Sequence, residues 1–155
     1  MQNWQPRKRI RLDASVYAEP GRLCSITIAV KTRRPVFATH TVAEAAIEVL
    51  KYLADRHRVP IHAFCIMPDH IHLLLEPSES CDIVTFVGQF KNLAQRAAWK
   101  LGVQGAFWQL SFWDHFLRFD EDVAVVTTYI LENPVRAGLV HTADDYPYSG
   151  SLTQL

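Results

Sequence analysis

Apolar and polar positions along this chain follow two different periods, and the changes of period divide it into elements. Leu23 to Val30 (LCSITIAV) is dense in β-branched residues and predicts a strand, set off by the turn signal Pro20-Gly21. Val42, Ala45, Ala46, Val49, Leu50 and Leu53 then recur at helical spacing behind a Thr41–Glu44 pair with capping-box spacing. That helix is expected to end near His57, ahead of Pro60. Ile61–Met67 and His70–Glu76 are two apolar segments joined by Pro68-Asp69, which predicts an antiparallel hairpin although Pro-Asp is not a favoured two-residue turn. A second long helix is predicted from Cys81 or Asp82 to Leu101. It carries Ile83, Phe86, Val87, Phe90, Ala94 and Ala97 on one face, and Gly102 is its stop. The aromatic stretch Phe107–Phe119 is expected to contain a strand near Phe116–Phe119. A third helix starts at Asp120 and stops at Asn133, because a residue before proline avoids helical geometry.

The order is strand, helix, two hairpin strands, helix, strand, helix. That order implies an α+β fold, a mainly antiparallel sheet with helices packed on it, and a ferredoxin-like arrangement is its natural form. The expected organisation is a basic irregular arm over 1–20, one domain over 21–150 and a short tail over 151–155.

Composition narrows the class. The chain has 155 residues, 49% of them hydrophobic, which suits one domain with a real core and excludes intrinsic disorder. No apolar run approaches the ~18 residues of a membrane span, so no membrane partner is expected. The basic N-terminus lacks the apolar stretch of a secretory signal, and the cytoplasm is the expected compartment. Cys24, Cys65 and Cys81 are odd in number and widely spaced, so they read as core residues under reducing conditions. The formal net charge is zero. It is the sum of +6 over residues 1–60, −1 over 61–100 and −5 over 101–155.

His70-Ile71-His72 is the sharpest local feature. On a strand the two imidazoles project from one face, roughly 7 Å apart along the chain, and can converge on one divalent cation. The plainer reading is two half-exposed histidines on a half-buried strand. A histidine-triad hydrolase would need a third histidine where Leu74 stands. Tyr129 and Asn133 are four apart on the third helix and share a face. Taken singly, one is a half-buried packing residue and the other a helix-end residue. Taken with the histidines, they assemble two imidazoles, an amide oxygen and a phenol, a set suited to phosphodiester chemistry. A cation on His70, His72 and Asn133 would polarise a phosphate oxygen, and the Tyr129 oxygen could attack phosphorus.

Met67-Pro68-Asp69-His70-Ile71-His72-Leu73-Leu74 resembles the MP(N/D)HxHLL signature of the single-tyrosine HUH transposases of bacterial insertion sequences. The REP-associated tyrosine transposases are the branch it is most similar to. The resemblance continues through Lys91-Asn92, Trp108-Gln109, Trp113-Asp114-His115 with Arg118, and Tyr129 to Asn133-Pro134 with Arg136 and Gly138. It closes with Asp145-Tyr146-Pro147-Tyr148-Ser149, and so covers residues 22–150 in the expected order. It implies a ferredoxin-like core, His70 and His72 as ligands of Mg2+ or Mn2+, Asn133 completing the metal site and Tyr129 as nucleophile. It further implies hairpin-bearing single-stranded DNA as the partner, cut to leave a 5′-phosphotyrosine and a free 3′ hydroxyl. Relatives include homodimers and monomers, so oligomeric state stays open.

The candidate DNA contacts are Arg7, Lys8, Arg9 and Arg11 in the arm, with Trp4 beside them; Arg33 and Arg34 after the first strand; and Lys91 and Arg96, with Lys100, on the second helix. Trp108 or Trp113 could stack on an unpaired base. His115 and Arg118 are possible supports behind the ligands or phosphate contacts. Two other readings remain at this point: a non-catalytic DNA-binding or regulatory protein on the same scaffold, and a metal-dependent phosphohydrolase without a covalent intermediate.

Overall fold

The strongest strand formers end up at the centre of one sheet. A computed structural model describes residues 12–153. Its strands are β1 (Cys24–Ala29), β2 (Ile61–Ile66), β3 (His70–Leu75), β4 (Trp113–Phe116) and the short β5 (Ser149–Gly150). They lie in the order β4-β1-β3-β2-β5, with every neighbouring pair antiparallel. The helices are α1 (Ala14–Tyr17), α2 (His40–His57), α3 (Ile83–Lys100), α4 (Val123–Leu131) and α5 (Asn133–Arg136). The order β1-α2-β2-β3-α3-β4 around strands 4-1-3-2 is the expected ferredoxin-like α+β core, with β5 added at the β2 edge.

Alternation along the strands divides the apolar residues between the two faces. Ile26 and Ile28 of β1, Ile61 and Ile66 of β2, and Ile71, Leu73 and Leu75 of β3 join Leu50 and Leu53 of α2 and Phe86 and Phe90 of α3 in the main core. Ala63, Cys65, Met67 and Leu74 point the other way, into a smaller cluster closed by Ile130 of α4 and by Tyr146. Leu74 shares its face with His70 and His72, so the histidines lie on the α4 side of the sheet. The three cysteines are free and buried, as expected of core residues.

Several boundaries differ from expectation, each for a local reason. The hairpin closes across Pro68-Asp69 because both turn carbonyls are taken up by the chain after β1. Phe37 N donates to Pro68 O at 2.9 Å, and Val30 N donates to Asp69 O at 3.0 Å. α2 starts one residue before the Thr41–Glu44 pair, and no side chain caps it. β4 lies at Trp113–Phe116, three residues ahead of the expected position, because Asp114 is drawn into the interior. α4 starts at Val123 rather than Asp120, since Asp122 accepts from Ala124 N as its cap. Pro134 does not follow a continuous helix; it lies in the first turn of the separate α5, where its missing N–H costs nothing.

The segment expected as an irregular arm is described from residue 12 onward, and its last part belongs to the domain. Asp13 caps the single turn α1 and Tyr17 is buried, its hydroxyl 2.6 Å from an oxygen of Asp114. Arg7, Lys8, Arg9 and Arg11 lie outside the described residues. The Tyr17→Phe variant removes one donor from a buried carboxylate, so it should lose about 1–3 kcal/mol of stability in urea unfolding. An unchanged midpoint would mean that residues 12–20 are not part of the cooperative fold.

Candidate active site

The register of β3 builds the site. His72 stands opposite Thr27 of β1 on one side and Cys65 of β2 on the other. The same row continues to Trp113 in β4 and to Ser149 in β5. His70 Nδ1 lies 2.6 Å from an Asp69 oxygen. A carboxylate accepts, so His70 carries its hydrogen on Nδ1 and presents a lone pair on Nε2. Thr27 Oγ1 lies 3.0 Å from His72 Nδ1. With both Nδ1 atoms engaged, the two Nε2 atoms face each other at 3.0 Å, the rings nearly perpendicular at 88°.

The Thr27 hydroxyl can serve either tautomer of His72, since it donates and accepts. When it donates to Nδ1, His72 donates Nε2–H to His70, and the chain Thr27–His72–His70–Asp69 is satisfied throughout. When it accepts from Nδ1–H, both Nε2 lone pairs aim at one point. Adjacent ligands in an octahedral Mg2+ site, each about 2.1 Å from the ion, stand about 3 Å apart, so the donor spacing fits such a cation. Among the described residues no three His, Cys, Asp or Glu side chains converge on a metal position.

Burial lowers the His70 pKa against the pull of Asp69. Burial also takes His72 down to about 3, with the charges of His70, Arg136 and Arg33 adding to it. Both imidazoles are neutral near pH 7, the form that ligates. The chain after β1 reaches this point through two consecutive left-handed residues, Thr32 (φ 55°) and Arg33 (φ 57°). A strained residue of this kind costs on the order of 1–3 kcal/mol. The result is an Arg33 guanidinium 3.7 Å from Asp69 Oδ2 and 3.5 Å from His70 Nδ1.

α4 packs on β2 and β3, anchored by the buried Ile130. Its neighbour Tyr129 is 56% exposed. The Arg136 guanidinium lies over the Tyr129 ring, 3.8 Å from its centre, and donates to the Tyr129 carbonyl. Arg136 also bears electrostatically on His72 and on its cross-strand neighbour Cys65, whose thiol burial pushes up to about 12. Asn133 opens α5, half-buried, and its side-chain amide makes no hydrogen bond to another described residue.

The other candidates separate clearly. Arg33 stands beside the histidines, while Arg34 turns away to the Gln104 carbonyl at 2.8 Å. Lys91 and Arg96 lie on α3, which covers the opposite face of the sheet. The Lys91 ammonium is engaged by the Gln109 carbonyl at 2.6 Å. Trp108 is buried and donates to the Lys91 carbonyl, whereas Trp113 is exposed on the His72 row. His115 shares that face but lies two positions further along β4, bonded to Glu121 at 3.0 Å. Arg118 lies beyond the strand, lining a groove of about 560 Å³ with Arg22, Phe119 and Glu121. Sequence reasoning missed Thr27, Asp69 and Arg136 as members of the site. Asp69 could have been found from its place beside His70; Thr27 needs the strand register.

The family described as Transposase IS200 like matches residues 23–133. A Haemophilus influenzae protein assigned to the REP-associated tyrosine transposases is 31% identical over 140 residues, covering 83% of this chain and 79% of that protein. The REP-associated tyrosine transposase of Escherichia coli is 27% identical over 133 residues, covering 86% and 78%. A solved structure of a REP-associated tyrosine transposase bound to a REP hairpin superposes with a TM-score of 0.70 at 25% identity. That match covers 92% of this chain and 82% of the other.

The histidine pair has a consequence for stability. A group with a lowered folded-state pKa is protonated more readily in the unfolded chain, so stability falls as pH falls below the unfolded value near 6.5. For His72 the loss extends down toward about 3. Urea midpoints measured without metal should therefore decline from pH 7 to pH 4.5, and more gently in His72→Gln. Equal slopes in the two proteins would contradict a buried neutral imidazole.

Proposed function

The chain belongs to the IS200-like transposase family, and from that premise we propose that it cuts and rejoins hairpin-bearing single-stranded DNA through Tyr129. The observation that carries this reading is the facing pair of His70 and His72 Nε2 atoms, 3.0 Å apart, on the sheet face that the Tyr129 helix covers. His70, His72 and the Asn133 amide would hold Mg2+ or Mn2+. When bound, that ion polarises a non-bridging phosphate oxygen and offsets the charge developing on it.

The rest of the chemistry lies with the chain's own groups. The Tyr129 oxygen forms a bond to phosphorus in line with the bond from phosphorus to the 3′ oxygen, which breaks. The phenolic proton passes to solvent, and the departing 3′ oxygen takes one up. One phosphate ester replaces another, so the energy of the broken bond is kept in the 5′-phosphotyrosine and a later 3′ hydroxyl can reverse the step. Asp69 holds the His70 tautomer, and Thr27 accommodates the His72 tautomer that metal binding requires. Arg33, beside His70, supplies positive charge for the phosphate flanking the cut. The exposure of Trp113 on the His72 row supports it as a stacking surface for an unpaired base. Hairpin DNA is proposed as the substrate because a relative of known structure was solved on a REP hairpin.

With hairpin-bearing single-stranded DNA from the ends of its own element and Mg2+ or Mn2+, the wild-type protein should form an adduct that survives denaturation. Tyr129→Phe should form none while still binding that DNA in a gel-shift assay. Wild-type binding without an adduct would favour a non-catalytic DNA-binding protein, and cleavage persisting in Tyr129→Phe would favour simple hydrolysis. The role of Thr27 is checked separately. Thr27→Val should weaken Mn2+ binding in calorimetry on the order of 10- to 100-fold, and unchanged affinity would remove Thr27 from the site.

A further inference from the structure

Tyr129 sits at an awkward place for a residue that must aim. More than half of its surface is exposed, and it lies in the last turn of a nine-residue helix. The last carbonyls of a helix have no intrahelical partner. An exposed phenol there would sample several rotamers, and a transfer reaction needs one of them. The local sequence supplies a restraint. α4 ends at Leu131, Pro134 is the second residue of α5, and Arg136 follows within that short turn.

We infer that Arg136 is the positioning residue for Tyr129: its guanidinium lies across the phenol ring and holds the Tyr129 carbonyl, restricting the exposed ring to one orientation. The inference rests on the reading of Tyr129 as nucleophile. The two contacts are of different kinds. One is a cation over the face of the ring, 3.8 Å from its centre. The other is a hydrogen bond to the backbone of the same residue, which ties the guanidinium to the base of the side chain it covers. A planar, delocalised cation can make both together; the compact ammonium of lysine is a poor substitute for the stacked plane. Arg136 also bears on His72 and Cys65, which are opposite each other across β3 and β2.

Misplacing a reacting group by about 1 Å costs on the order of 100-fold in rate. Arg136→Ala should accordingly lower the maximal rate of adduct formation by about 10- to 100-fold. Arg136→Lys should recover only part of that loss. The DNA concentration giving half-maximal rate should stay within about twofold, and the urea midpoint should match that of the wild type, because the contact orders an exposed ring. A rate for Arg136→Ala within about threefold of wild type would overturn the inference. So would a loss carried wholly by the DNA half-saturation or by reduced stability.

A second measurement needs no DNA. In protein labelled with 3-fluorotyrosine, the Tyr129 resonance is the one missing from Tyr129→Phe. It should move to the position of a solvent-exposed tyrosine in Arg136→Ala, and an unmoved resonance would overturn the ring contact. Should the wild-type protein form no adduct, the reading of Tyr129 as nucleophile fails, while the fluorine measurement still decides whether Arg136 fixes the ring.

Discussion

The position of β3 is the constraint on which the rest depends. It is the middle strand, bonded along its length to β1 and β2, and its residues alternate between two different jobs. Ile71, Leu73 and Leu75 are wholly buried in the main core. His70 and His72 occupy the intervening positions and face α4. Because the side-chain period is two, a slip of one residue would push both imidazoles into the α2–α3 core and turn three large apolar residues outward. The energy that enforces the hydrophobic register therefore also sets the spacing of the histidines. The neighbouring strands then choose what touches the imidazoles: Thr27 from β1, and Asp69 from the turn that begins the strand.

The second half of the site is held by a different device. α4 is apolar over most of its surface, yet only Ile130 is fully buried, with Val126 packed on the same cluster one turn earlier, so the helix is anchored most firmly near its C-terminal end. Tyr129 is next to that anchor. The break at Glu132 and Pro134 turns the chain back, and the α5 turn brings Arg136 over the ring and Asn133 to the same end of the helix. Strand register and helix termination thus meet at one place on the sheet.

What could be read from the sequence follows from how local each signal is. The hydrophobic period alone located β1, α2, the hairpin and α3, because each is long and buries a continuous face. The ends of the short elements were less legible. β4 lies earlier than its pattern suggests because Asp114, a charged residue in a strand, is buried, with the Tyr17 hydroxyl from nearly a hundred positions away on its carboxylate. α4 was started early because the acids at its head read as a first helical turn. In the fold Asp122 is the cap, and the Glu121 carboxylate is taken by His115 and by the Arg118 backbone. His70, His72, Tyr129 and Asn133 were visible as residue types at helical and strand spacing. Thr27 and Arg136 were not, since their parts depend on cross-strand register and on a helix break. Lys91, a candidate DNA contact, and Trp108 are bonded within the α3 layer of the sheet, to the Gln109 and Lys91 carbonyls respectively.

The charge pattern changes meaning once the acids are located. A −5 C-terminal third looks hostile to a phosphate backbone, but four of its seven acids are spent inside the fold. Asp114 is buried on the Tyr17 hydroxyl, Glu121 is bonded to His115, Asp122 caps α4 and Asp145 accepts from Thr142. Among the described residues, the cations that bear on the histidines are Arg33 from the basic segment and Arg136 from the acidic one. Surface fields act over about a Debye length, some 8 Å at physiological salt, so a phosphate at the histidines would respond to those two guanidinium groups far more than to the sum over the molecule. Zero net charge is therefore no measure of what the α4 face of this sheet can bind.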